Sequence, residues 1–318
     1  MATFFDKLAA ALSSRFFIRR RKACIVRLAA VGSLRYNGGN GDEGGCMMLH
    51  EIGEKDYCCA YLPRAPRVGE DVILAYREDR VLFCGASLPK VGDVDVDEAL
   101  LQYLFSISGV AFFLPAEAPL ENGALHYERT RSMRQLLPQW LAFAGMTGLH
   151  LSVWYENNHY CGHCATPLVH KEDERALVCP HCGRVIYPNI AVAVIVGILD
   201  GERLLLSRYA AGGYRNYALI AGYVEIGEPL EDAVRREVME EVGLNITNIR
   251  YYTSQPWGFS QTLLVGFFAD LDGASGVQVE RRELSEAVWM ARDEMPESDA
   301  RISMTAQMME AFRLGASL

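Results

Sequence analysis

Three carboxylates, Glu237, Glu240 and Glu241, crowd together in the stretch GYVEIGEPLEDAVRREVMEEVGL, residues 222–244. Like charges three and four positions apart on a helix repel, so the grouping marks either a solvated face or the seat of a cation. Hard divalent ions take oxygen ligands and share them with substrate phosphates, so the second alternative would carry phosphate-ester or pyrophosphate chemistry. The flanking residues predict the helix itself. Pro229 suits its first turn, Glu231 and Asp232 follow at the favourable end of the macrodipole, and Gly243 ends it. Val234, Val238 and Val242 recur every four residues as a core seam, with the glutamates along its edge.

A second chemistry lies upstream: CGHC at 161–164 and CPHC at 179–182, with fourteen residues between them. Two such pairs form knuckles that close a tetrahedral thiolate site, so Cys161, Cys164, Cys179 and Cys182 are expected to hold one structural Zn²⁺ with no position open for catalysis. The chain has nine cysteines, and the other five, Cys24, Cys46, Cys58, Cys59 and Cys84, are expected to pack as small core hydrophobes.

These groups need elements to position them. Before the ribbon, runs such as ACIVRLAAV, DVILAY and RVLFCG alternate with turn signals and end in a helix expected over about 133–144. NGGNGDEGG, 37–45, reads as a flexible loop and the RRRK cluster, 19–22, as a solvated turn. After the ribbon, IAVAVIVGIL and ERLLLSRY read as two strands joined by a tight turn at Asp200-Gly201, with TLLVGFFADL (262–271) a further strand and SMTAQMMEAFRL (303–314) a helix. The expected fold class is α+β, with an N-terminal mixed α/β domain over 1–155, a zinc ribbon over 156–187 and helices packed on a mixed sheet over 188–318. Half of the 318 residues are apolar, enough for a sizeable core, and a net charge of −9 argues against wrapping duplexes or coating membranes. With no apolar run long enough to span a bilayer and cysteine usage suited to a reducing compartment, a cytoplasmic protein is expected.

Gly222, Glu228, Arg236-Glu237, Val238, Glu240-Glu241, Gly243 and Leu244 stand at the spacing of the complete Nudix box. The chain therefore resembles Nudix hydrolases, which cleave a nucleoside diphosphate linked to another group by means of metal-activated water. That resemblance implies an α/β/α sandwich and a Mg²⁺ or Mn²⁺ role for the glutamates. A four-cysteine ribbon ahead of the box, a Tyr187-Pro188 pair after the ribbon and SQPWGFSQT (254–262) after the box are similar to the NADH pyrophosphatase family. Ser254, Gln255, Pro256, Trp257 and Phe259 match that family's SQPWPFPxS element. Gly258, Ser260 and Thr262 replace its Pro, Pro and Ser; Tyr223 replaces its usual Phe, and Asn189 and Val192 its Arg and Pro.

The resemblance implies a divalent site of the Ala221 carbonyl, Glu237, Glu241 and Glu283, with Glu240 a further ligand or partner. Glu240 or Glu283 would accept a proton from the attacking water, and Arg236 would pair with Glu228 to hold the loop on the helix. Substrate contacts would come from Glu174, Tyr187, Tyr223, Gln255, Pro256, Trp257, Gly258, Phe259, Ser260, Gln261, Thr262 and Ser303. It further implies a homodimer acting on a small dinucleotide: NAD(H) cleaved to NMN(H) and AMP. Two alternatives stand beside that reading: hydrolysis of another dinucleotide or of NAD-capped RNA 5′ ends, and a non-catalytic nucleotide sensor whose ribbon binds nucleic acid.

Overall fold

The computed structural model describes residues 48–210, 216–296 and 303–316. The expectations for 19–22, 23–31 and 37–45, and for Cys24 and Cys46, lie outside the described residues.

Short strands build the N-terminal part: β1 (Tyr57–Cys58), β2 (Val72–Ile73), β3 (Tyr76–Arg77), β4 (Arg80–Cys84), β5 (Gln102–Ile107), β6 (Val110–Leu114) and β7 (Leu125–Arg129). They form two sheets, ordered β1-β5-β6-β2 and β3-β4-β7. DVILAY thus divides between two strands, and RVLFC forms β4. The helix expected near 133–144 lies further on. A 3-10 turn over Thr130–Gln135 comes first, and α1 runs Gln139–Asn157, beginning after Pro138, which has no N–H to continue a helix through. One face of α1 buries Leu141, Ala142, Met146 and Leu149 against Leu74, Phe105 and Phe112. Each such side chain contributes roughly 1.5–3 kcal/mol by leaving water. Of the scattered cysteines among the described residues, Cys58 and Cys84 end β1 and β4 and are half-buried, Cys84 packing against the core of Ile73, Leu82 and Phe113, while Cys59, just past β1, is exposed.

The ribbon is a small sheet of β8 (Val169–His170), β9 (Leu177–Val178) and β10 (Val185–Ile186), in the order β10-β9-β8. Arg175 anchors it to the N-terminal sheets by donating to the carbonyls of Cys59 and Leu104.

Beyond it stand β11 (Ala191–Asp200), β12 (Arg203–Tyr209), β13 (Ile220–Tyr223), helix α2 (Leu230–Val242), β14 (Ile246–Trp257), β15 (Thr262–Leu271), β16 (Leu284–Ala291) and helix α3 (Met304–Arg313). The sheet order is β14-β15-β11-β12-β16, with β13 also paired to β11; β11 and β15 run parallel and the other pairs antiparallel, so the sheet is mixed. Asp200 pairs with Arg203, so the hairpin loop is Gly201-Glu202, one residue later than expected, because glycine takes the left-handed position (φ 59°). Side chains alternate across β11. Val194, Val196 and Ile198 meet Val234, Val238 and Val242 of α2 on one face, while Ile195 meets Leu204, Met304, Met308 and Phe312 on the other. The result is an α/β/α sandwich, as expected. Among the described residues no helix is long and apolar enough to cross a membrane.

Candidate active site

The valine seam of α2 fixes where its glutamates go. Glu237 and Glu241, one turn apart, lie beside it and are buried, whereas Glu240 is 60% exposed. Successive helical residues turn by about 100°, which carries Glu240 away from Glu241 and toward solvent. The three carboxylates therefore do not converge equally: two face the backbone of β13 and one stands at the rim.

Arg236 ties helix to loop. Its Nε and Nη2 donate to Glu228 Oε1 and Oε2 at 2.8 and 2.9 Å, Nη2 also donates to the Tyr223 carbonyl at 2.9 Å, and Nη1 reaches Glu237 Oε1 at 2.7 Å and Glu240 Oε2 at 3.1 Å. Such a fork is planar and directional, which lysine could not reproduce. These hydrogen bonds hold Glu228 below the usual carboxylate range and raise Arg236 above its ordinary value.

Burial dominates at the inner pair. It raises Glu241 to about 8, with repulsion from Glu237 and Glu283 adding, while the Ala221 amide bonded to its carboxylate opposes. Glu237 is raised too, chiefly by burial, against the pull of Arg236 and with help from Glu240 and Glu283. Glu283 thus acts electrostatically on both, as a member of one acidic site would. A buried pair of like-charged carboxylates is unstable as two anions, and a hard cation with oxygen preference fits this donor set.

The residues expected to contact substrate separate into groups. Glu174 Oε1 accepts from Tyr187 Oη at 3.1 Å and from Lys171 at 2.8 Å, joining the first two in the ribbon. Tyr223, 55% exposed, has its hydroxyl 3.5 Å from Thr262 Oγ1, which lies 2.9 Å from Ser260 Oγ, so three positions that depart from the family pattern touch one another. Trp257 and Phe259 meet edge to face at 5.1 Å and Pro256 is exposed beside them. Gln255 is fully buried, its Oε1 accepting from the Met304 amide at 2.8 Å, and Ser303 caps the same helix, so these two serve α3. Gln261 turns the chain into β15 with φ 54°, its carbonyl accepting from Ala191. Arg134 sits over both Trp257 and Phe259, and no sequence signal marks it.

In the ribbon, Cys161 Sγ lies 3.7 Å from Cys182 Sγ and Cys164 Sγ 3.5 Å from Cys179 Sγ, with all four sulfurs within 4.8 Å. Zn–S bonds of about 2.3 Å require tetrahedral edges of about 3.8 Å, so the thiolates fit zinc. Among the described residues this is the one set of three or more His, Cys, Asp or Glu donors so close together.

Residues 188–312 match the NUDIX domain family, so the sandwich with its acidic helix is a Nudix domain. Residues 156–187 match the NADH pyrophosphatase zinc ribbon domain. Together the two matches cover the ribbon and the sandwich that follows it, residues 156–312. The protein named NAD-capped RNA hydrolase NudC in Citrobacter koseri is 38% identical over 167 residues, covering 52% of this chain and 65% of the relative. Its namesake in Klebsiella pneumoniae subsp. pneumoniae is 40% identical over 169 residues, with the same 52% and 65%. The matched segment thus spans just under two thirds of either relative. A solved NUDIX hydrolase from Nitrosomonas europaea is similar at 22% identity, covering 49% of this chain and 93% of that one, with a TM-score of 0.40.

Proposed function

We propose that this protein hydrolyses the pyrophosphate bond of NAD(H), releasing NMN(H) and AMP, with Mg²⁺ or Mn²⁺ as the working cation. The observation that supports it most is the buried Glu237–Glu241 pair beside β13, with Glu283 acting on both. Glu237, Glu241, Glu283 and the Ala221 carbonyl would hold the cation, and Glu240 completes the rim. When bound, the cation supplies charge neutralisation of the pyrophosphate and lowers the pKa of a coordinated water.

The chain's own groups do the rest. Arg236 keeps Glu237 oriented and, through Glu228, fixes the loop that follows Tyr223. Glu240, exposed and beside the site, or Glu283 accepts the proton of the attacking water, since general bases need access as well as proximity. Tyr223 and Trp257 would offer ring faces for the bases, and the ribbon's hydrogen-bonded Glu174–Tyr187 pair would contact the substrate. The zinc is structural.

Turnover of NADH, NAD⁺, ADP-ribose, FAD and diadenosine polyphosphates across a Mg²⁺ and Mn²⁺ titration tests this. NADH cleavage to NMNH and AMP that vanishes without divalent cation is expected, and no cleavage of any of them overturns it. The name carried by the relatives favours a second reading, removal of NAD from RNA 5′ ends. An RNA carrying a 5′ NAD, run in the same assay, distinguishes the two by kcat/KM.

A further inference from the structure

Glu283 reaches Glu237 and Glu241 from outside their helix, and two sets of hydrogen bonds hold the segment that brings it there. On the helix side, the Gln278 and Glu280 amides donate to the Val242 and Glu241 carbonyls at 2.9 Å each. The segment thus docks on the last turn of α2, satisfying acceptors that a helix end leaves open. On the strand side, the Ala210 amide, just past β12, donates to the Glu283 carbonyl at 2.8 Å. Between the two lies a tight turn, in which the Glu283 and Leu284 amides both donate to the Glu280 carbonyl. β16 then begins with a register shift. Leu284 pairs with Tyr209 and Glu286 with Arg208, which leaves Ser285 as the extra residue of a β-bulge. The Ser285 hydroxyl is shared between the Arg208 and Tyr209 carbonyls, at 3.2 and 3.3 Å, and closes that bulge. Leu284, fully buried, packs in the core formed with the valines of α2.

We propose that Ser285 is a positioning residue for Glu283: its hydroxyl pins the bulge that aims Glu283 at the inner glutamates of α2. The proposal rests on the reading above, in which Glu283 shares the divalent cation with Glu237 and Glu241. Ser285 is exposed, so its side chain serves no apolar core. A bulge re-aims the residues beside it, because one unpaired position changes which way its neighbours point. The charge of Glu283 already acts on both inner carboxylates. A hydroxyl that keeps Glu283 from swinging away therefore supports cation affinity through a ligand it does not touch, as the hydrogen-bond partners of metal ligands do.

The test is Mn²⁺ binding, by calorimetry and without substrate, to the zinc-loaded full-length protein and to its S285A, S285T, E283Q and S285A/E283Q variants. S285A is expected to weaken Mn²⁺ binding on the order of threefold to tenfold, the scale of one lost hydrogen bond. Its melting temperature without added divalent cation is expected to stay close to the parental one. S285T keeps the hydroxyl and is expected to bind as the parent does. In the E283Q background S285A is expected to cost nothing further, because its effect passes through Glu283. Parental Mn²⁺ binding in S285A, or a loss as large in the E283Q background as in the parent, overturns the proposal. Should S285A fail to fold, S285C, which keeps the size but donates weakly, is expected to show the loss, and parental binding there overturns the proposal. A parent protein that binds no Mn²⁺ refutes the cation-site reading and the proposal with it, whereas equal binding by parent and S285A refutes the proposal alone.

Discussion

The carboxyl of Glu237 lies directly over the Cα of Gly222: a Cβ built on that glycine would meet Glu237 Cδ at 1.9 Å. The glycine that opens the Nudix box is therefore the floor on which an inner glutamate rests. Gly222→Ala must push Glu237 away from β13 and disturb its bond with Arg236. Overpacking of this kind costs about 1–3 kcal/mol, and a displaced ligand costs activity besides. The expected result is a melting temperature lowered by several degrees and a turnover reduced about tenfold or more, even at saturating Mg²⁺. An alanine variant with parental Mg²⁺ dependence would show that Glu237 has no part in the site.

Glu241→Gln keeps size and hydrogen bonding but removes one charge from the buried pair. Turnover and divalent affinity are expected to fall together, on the order of a hundredfold, since each tenfold is about 1.4 kcal/mol and a lost charged ligand costs about twice that. Glu231→Gln, exposed on the same helix, serves as the control and is expected to be nearly silent. Parental rates in both variants would make the acidic edge no more than a solvated face.

The same glutamate predicts how stability depends on pH. Its folded-state value of about 8 lies above that of an unfolded carboxylate, and Glu237 shifts the same way. The folded chain thus keeps protons that the unfolded chain has released, so stability is full below the ordinary carboxylate range and declines as pH rises toward about 8. Thermal unfolding with zinc retained and no other divalent cation is expected to show this decline, flattened in Glu241→Gln. Mg²⁺ is expected to raise the melting temperature more at pH 8 than at pH 6. A slope that Glu241→Gln leaves unaltered would refute the assignment.

In the ribbon, metal analysis of the purified protein is expected to give about one Zn²⁺ per chain. Cys179→Ser is expected to lower thermal stability and loosen the ribbon, because metal binding there is coupled to folding. A stable variant with only its turnover changed would contradict a structural zinc.

Much of this was legible in the sequence because the governing constraints are local. Two CxxC pairs prescribe their metal by spacing, the valines of α2 prescribe its buried face through helical period, and β15 follows from a continuous apolar run closed by polar residues. Where sequence and structure part, an adjacent residue or a strand end decided: Pro138 set the start of α1, Gly201 took the left-handed turn position, and Cys58 and Cys84 fell at the ends of β1 and β4. Only the tertiary structure turned Gln255 into a cap for α3 and set Arg134 over Trp257. Those relationships join residues far apart in the chain, and no periodicity or spacing encodes them. They depend on which surfaces meet once the N-terminal domain, the ribbon and the Nudix sandwich have each buried their own apolar faces.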